Sequence, residues 1–229
     1  MDHVTSVPRT VAERTVCPYA EGMSSTSELA PRDRLLRTAS RLFYAEGLHT
    51  VGVDRLVTEA GVTRATFYRH FPAKEELIVA YLRGRSQEIR NAVAQIPAHR
   101  RGREALLLIM QSVAEDVRRA DFRGCAFLNA AAEYPDPAHP VRRAVEEHHA
   151  WFFQTLRDQA AAAGHTDPDH TARLLVLLRD GALQGGALGS PDRVGDTLLK
   201  AVNDLLAAAE PTGRGDAAGH DVHSGTQGG

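Results

Sequence analysis

Apolar residues recur every three or four positions through most of the chain, and no stretch alternates as a half-buried strand would, so the pattern predicts helices throughout. Leu35, Leu36, Ala39, Leu42 and Phe43 define the inner face of a first helix, which Gly47 closes. Val53, Leu56, Val57 and Ala60 give a short second helix stopped by Gly61. Thr63 suits the N-cap of a third, from Arg64 to Phe71, with Phe67 and Phe71 on its inward stripe. A fourth runs from Ala73 to about Gln95. Pro97 and Gly102 then interrupt the pattern. Beyond them Leu106, Ile109, Met110, Val113 and Val117 keep the period in a helix from Arg103 to about Ala120, and a short helix covers roughly Phe127 to Glu133. Pro135, Pro137 and Pro140 break the chain before one long helix from Val141 to Ala163, which ends at Gly164. Asp167 or Asp169 can start the next, carrying Leu174, Leu175, Leu177, Leu178 and Leu183. Ser190 and Pro191 start the last, with Val194, Leu198, Leu199, Val202, Leu205 and Leu206.

The two ends lack this period. Residues 1–30 mix proline and serine with polar residues and read as a mobile N-terminal arm, in which Met23 is an alternative start and Arg9 and Arg14 would be the contacts of a minor-groove arm. Residues 211–229 are rich in Gly, Asp and His and read as a disordered tail. The expected fold is therefore all-α: a three-helix N-terminal unit over 31–78 and a larger helical unit over 79–210.

The third helix gives the picture a chemistry. With Phe67 and Phe71 turned inward, Arg64, Ala65, Thr66, Tyr68, Arg69 and His70 occupy the remaining faces. Guanidinium groups can fork onto guanine O6 and N7 or clamp a phosphate, Ala65 lets a backbone come close, and Thr66 can meet a thymine methyl. Two short helices around a glycine turn, the second polar on its outer face, form a helix-turn-helix whose second helix enters the major groove. Arg64, in the first turn, is the candidate for base contact.

Charge agrees once it is divided along the chain. The net charge is −2, yet residues 31–90 hold eleven Arg or Lys against seven acids, a surplus of +4 that leaves −6 elsewhere. Phosphate attraction is thus concentrated on one unit. Apolar content of 43% fits a globular chain long enough for a sizeable core. No run of about 18 apolar residues occurs and the first 30 residues lack a secretory pattern, so neither export nor a membrane partner is expected, and the cytoplasm is the default location. Cys17 and Cys125 are too far apart in sequence to make a disulfide framework or zinc site, and Cys125, between Gly124 and Ala126, reads as inert packing.

The run LFYAEG, VDRLVTEAGV, TRATFYRHF, PAKEEL, from Ala39 through Leu77, resembles the DNA-binding domain of the tetracycline-repressor (TetR) family of bacterial regulators. GCAFLNAAAEYPDP, Gly124 to Pro137, resembles a sensor-domain motif of some members. The resemblance implies a regulator, most often a repressor, that binds a near-palindromic double-stranded operator as a homodimer and responds to a small hydrophobic effector. It places Tyr68 and His70 on phosphates and Thr50 and Val51 at a backbone-contacting N-cap, although Gly52 and Asp54 leave the capping residue open. Lys74, a cation in the first turn of a helix, opposes the macrodipole unless a phosphate joins it; the plainer reading is that Glu75 and Glu76 offset it.

Candidate effector-lining residues are Met110, Phe127, Asn129, Glu133, Trp151, Phe152 and Arg179, each with a plain structural alternative as core or, for Glu133, as a cap before Pro135. Coupling to DNA is expected through the fourth helix. Leu174, Leu178, Leu198, Val202 and Leu205 are candidates for a four-helix dimer interface, with Ala182, Gly185, Gly186, Ala187 and Gly189 allowing close helix approach or merely weakening the helix end. His139, His148 and His149 with their neighbouring acids invite a metal reading, but adjacent histidines diverge by about 100° on a helix, and no metal or other cofactor is expected. An enzyme finds no support, since nucleophile motif, phosphate-binding glycine loop and metal-ligand spacing are all missing. A ligand-independent architectural DNA binder is the nearer rival.

Overall fold

The computed structural model describes residues 29–208, so the N-terminal arm apart from Leu29 and Ala30, with Arg9, Arg14, Cys17 and Met23, and the tail over 211–229 lie outside the described residues. Among the described residues the fold is all-helical: α1 Pro31–Glu46, α2 Val53–Ala60, α3 Arg64–His70, α4 Lys74–Ala94, α5 Arg103–Val117, α6 Ala126–Glu133, α7 Pro140–Ala162, α8 Pro168–Leu188 and α9 Pro191–Ala208. A 3-10 turn at Ala98–Arg100 joins α4 to α5. No helix among them is long and apolar enough to cross a membrane.

The helix ends follow local chemistry. Gly61 stops α2 in the left-handed region at φ 62°, ψ 43°, a conformation that costs a residue with a Cβ. Thr63 caps α3, its Oγ1 accepting from the Thr66 amide at 3.1 Å. Of the two expected starts for α8, Asp167 is the cap: its carboxylate accepts from the His170 amide at 2.9 Å while Pro168 takes the first helical position. α5 ends at Val117, short of the expected Ala120, because Arg118, Arg119 and Ala120 offer no further apolar face; Arg118 instead pairs with Asp196 on α9 at 2.7 Å.

Helices α1, α2 and α3 pack on one another, and α1 also packs on α4. Leu35, Leu42, Leu56, Phe67, Leu77, Ile78 and Leu82 are fully buried there. α4 then lies along α7, which packs on α8, while α5 and α9 close the far side. The buried apolar side chains form one continuous cluster from Leu35 to Leu206. Gly186 permits the α5–α8 approach, since a Cβ there would stand 2.4 Å from Val117 Cγ1. Its small size thus serves packing inside the subunit.

Candidate nucleic-acid interface

The outward face of α3 carries Arg64, Ala65, Tyr68 and Arg69, all exposed, with Thr66 half-buried. What holds that face rigid lies beneath it. Phe67 is fully buried, its ring 6.2 Å from Phe71 and edge-on to Tyr68 at 5.1 Å, which props the phenol outward. At the start of the helix the Thr63 hydroxyl also donates to Thr66 Oγ1 at 3.0 Å. Arg64 Nε donates to Asp54 Oδ1 at 2.6 Å, and Nη2 contacts the same oxygen. Two other arginines of the unit are held by acids within it: Arg55 pairs with Glu46 and Glu59, and Arg41 with Glu59.

Two expected contacts are narrowed to particular atoms. The Val51 side chain is entirely buried and belongs to the core, which leaves only its main chain for the DNA backbone, and the N-cap of α2 is Gly52, without a side-chain cap bond. Only Thr50 of that pair is exposed. His70 is half-buried and its Nε2 is enclosed without a hydrogen-bond partner, which keeps that nitrogen from a phosphate. Lys74 stands in the first turn of α4 with Nζ donating to the His49 carbonyl at 3.5 Å. Partial burial pulls its ammonium below the usual lysine range, against the opposing influence of Glu75 and Glu133. It is an incompletely solvated cation at a positive helix end, which an anion would relieve.

The loop bearing Thr50 is clasped from behind by α6. Glu133 accepts from the Leu48 amide at 2.9 Å and from the His49 amide at 2.7 Å, and the His49 ring stacks on Tyr134, which stacks in turn on His139. Nearby, Tyr44 donates to the Gly124 carbonyl at 3.2 Å and accepts from the Arg123 amide at 2.9 Å, while Arg123 Nη2 donates to Ala45 O at 2.9 Å. Glu133 is therefore a strut between α6 and the α1–α2 connection. Asn129 Nδ2 donates to Arg123 O at 3.1 Å, and Asn129 and Glu133 together line a small cleft of about 190 Å³ beside Phe43 and Tyr44, apart from the other candidates.

The remaining candidates converge deeper in the protein. Phe127 stacks on His148 at 3.6 Å, Trp151 and Phe152 lie 5.8 and 6.2 Å from the same imidazole, and Arg179 sits 4.7 Å over the Phe152 ring. Met110 is fully buried in the same apolar cluster. Sequence reasoning missed the polar half of this arrangement. Ser86 Oγ lies 3.0 Å from His148 Nδ1, Arg90 Nε donates to Ser86 Oγ at 3.3 Å, and Arg90 also lies over Trp151 at 4.3 Å. Arg179 pairs with Asp180 at 2.6 Å and reaches Cys125 Sγ at 3.7 Å. Burial, then the cations Arg179 and Arg90, push His148 down to about 3, so the ring is neutral. Its Nε2 is buried without a hydrogen-bond partner. The sequence signal is the adjacent pair His148 and His149, which diverge on α7: His148 turns into the apolar cluster while His149 turns to Asp180 at 3.4 Å.

On the α8–α9 side, an open groove of about 510 Å³ is lined by Leu177, Leu178, Gly181, Val194, Leu198 and Ala201 among others. Leu177 is 68% exposed, an apolar excess legible in the run LLVLL. Of the expected interface residues, Leu174, Leu178 and Leu205 are half-buried, Leu198 forms the groove floor at 3% exposure, and Val202 is fully buried within the subunit and unavailable to a partner.

A capped, two-phenylalanine-anchored second helix presenting arginines beside a glycine turn defines a helix-turn-helix DNA-binding protein. Residues 35–81 match the description of bacterial regulatory proteins of the tetR family. A TetR-family transcriptional regulator from Streptomyces coelicolor is 46% identical, with TM-score 0.74 over 78% of this chain and 95% of that one. A tetR transcriptional regulator from Streptomyces avermitilis is 33% identical, with TM-score 0.73 over 79% of this chain and 98% of that one. The HTH-type transcriptional regulator YjdC of Escherichia coli is 22% identical over 78% of this chain and 94% of its own length. The chain belongs to the TetR family of DNA-binding transcriptional regulators.

Proposed function

We propose that the protein is a ligand-responsive repressor that binds a near-palindromic operator as a homodimer in the cytoplasm, with residues 31–78 as the DNA-binding unit and 79–210 as the effector and dimerisation unit. The observation that carries this reading is the rigid α3 face: Arg64, Ala65, Tyr68 and Arg69 outward, Phe67 and Phe71 beneath. In it Arg64 reads a base, Thr63, Thr66, Tyr68 and Arg69 join the groove or its phosphates, and Thr50 and Lys74 hold the backbone. A twofold pair closing the α8–α9 groove over Leu177, Leu178 and Val194 sets the spacing of the two heads. Retardation of the protein's own upstream DNA, against random duplex and with sedimentation of the free protein, tests the reading. Equal affinity for both duplexes, or a monomer at micromolar concentration, refutes it.

The effector reading rests on the Phe127–His148–Trp151–Phe152 group. Ser86 Oγ accepts from Arg90, and in the tautomer where the serine proton goes to His148 Nδ1 the Nε2 is a buried N–H in need of an acceptor. Two guanidiniums nearby favour a flat aromatic effector bearing a carbonyl or an acidic oxygen. Its binding shifts the operator affinity only by its preference for one spacing of the heads.

Two substitutions separate base reading from phosphate holding. Arg64→Ala is expected to relax preference at one base pair per half-site, costing about 1 to 3 kcal/mol of discrimination there. Lys74→Ala is expected to weaken binding about equally on every sequence and to lower the slope of log affinity against log salt by about one unit. An unaltered slope would leave Lys74 as surface.

A further inference from the structure

The contact between Arg64 and Asp54 joins the two helices of the motif across ten residues, and both side chains are well exposed, at 60% and 75%. An acid on a face meant for phosphates is unfavourable there, so its position asks for a reason. Asp54 Oδ1 takes Nε and Nη2 of Arg64, one edge of the guanidinium. That leaves the other edge, Nη1 with the second hydrogen of Nη2, as a fork of two parallel donors, the geometry that guanine O6 and N7 accept. An arginine unsupported at the start of a helix would lose several rotors on binding and could swing to a phosphate instead. With one edge held by Asp54, its free edge is aimed in one direction.

We propose that Asp54 is a specificity-determining residue of operator recognition: it holds Arg64 in a base-reading pose and keeps it from the phosphates. The proposal rests on the reading of α3 as the groove helix. The pair trades affinity for selectivity. A carboxylate at the DNA face repels phosphate on every sequence, while the arginine it holds recovers energy only where a guanine stands opposite.

The experiment measures affinity for operator variants, changed one base pair at a time, and for random duplex, with the wild-type protein, Asp54→Ala, Asp54→Asn, Arg64→Ala and the double variant. Asp54→Ala should tighten binding to random duplex by about two- to fivefold, while discrimination falls by about tenfold at the same base pair that Arg64→Ala relaxes and stays unchanged elsewhere. In the double variant the loss of discrimination should equal that of Arg64→Ala by itself, since Asp54 acts through the arginine. Asp54→Asn keeps an acceptor oxygen without the charge, and should raise random-duplex affinity while retaining more discrimination than alanine. Tighter binding with undiminished discrimination would mean that Asp54 merely restrains a free arginine, and overturns the proposal. So does a change in thermal stability with base preference intact, which would reduce Asp54 to its place in the first turn of α2. If Arg64→Ala discriminates as well as wild type at every position, the groove reading itself fails and takes the proposal with it.

Discussion

Phe67→Ala is expected to lower the unfolding free energy by about 3 to 5 kcal/mol and to remove sequence-specific binding, although no atom of Phe67 is on the surface. Its ring is fully buried, 6.2 Å from Phe71 and in edge contact with Tyr68, so alanine leaves a cavity under the only helix that presents Arg64 and Arg69 together. α3 is just seven residues long and cannot persist without that anchor. Urea unfolding with operator retardation on the same preparation checks both parts. A variant that melts within 1 kcal/mol (about) of wild type would show that the ring is not what seats the helix.

Glu133→Ala is expected to have the next largest effect, from a residue remote from α3. The carboxylate accepts two amide protons of the α1–α2 connection, and charge-assisted bonds of this kind contribute about 1.5 to 3 kcal/mol each when a partner is removed. The larger share falls on Leu48, which is buried; water can replace the carboxylate at exposed His49. Operator affinity should fall as well, because this connection carries Thr50 and offers the His49 carbonyl to Lys74. Glu133→Gln, which retains one acceptor oxygen but turns a donor towards an amide, should fall between alanine and wild type. Amide hydrogen exchange provides the direct test: Leu48 and His49 should lose protection in the alanine variant while Leu82, in α4, keeps its own. Unchanged protection at Leu48 would rule out the strut.

Elements resting on local chemistry were readable from the chain. Gly61 after an apolar face and Thr63 before a polar-faced one act within one turn of their own position, so the end of α2 and the start of α3 follow from neighbouring residues, whereas the start of α8, open in sequence between Asp167 and Asp169, is decided by the Asp167 cap. The burial of Val51 was missed because its apolar character was subordinated to a position in a motif; its side chain fills the core beside Leu48 and Leu56. Asn129 and Glu133 have neighbours that the sequence left unnamed, for a different reason. They occupy one helix with Phe127, but the face they share looks at α1, some 80 residues away in sequence, and helical spacing does not name the neighbour.

From sequence, then, come the order of helices, the anchors of the third and the outward set around Arg64, because 3.6-residue periodicity and end-capping act over a few residues at a time. Tertiary structure alone decided that Glu133 clasps the Leu48–His49 amides, that His148 is a neutral buried ring among aromatic groups, that Val202 faces inward, and that Arg64 meets Asp54. Those pairings depend on how whole helices cross, a matter of shape-fitting over distant side chains that no local pattern encodes.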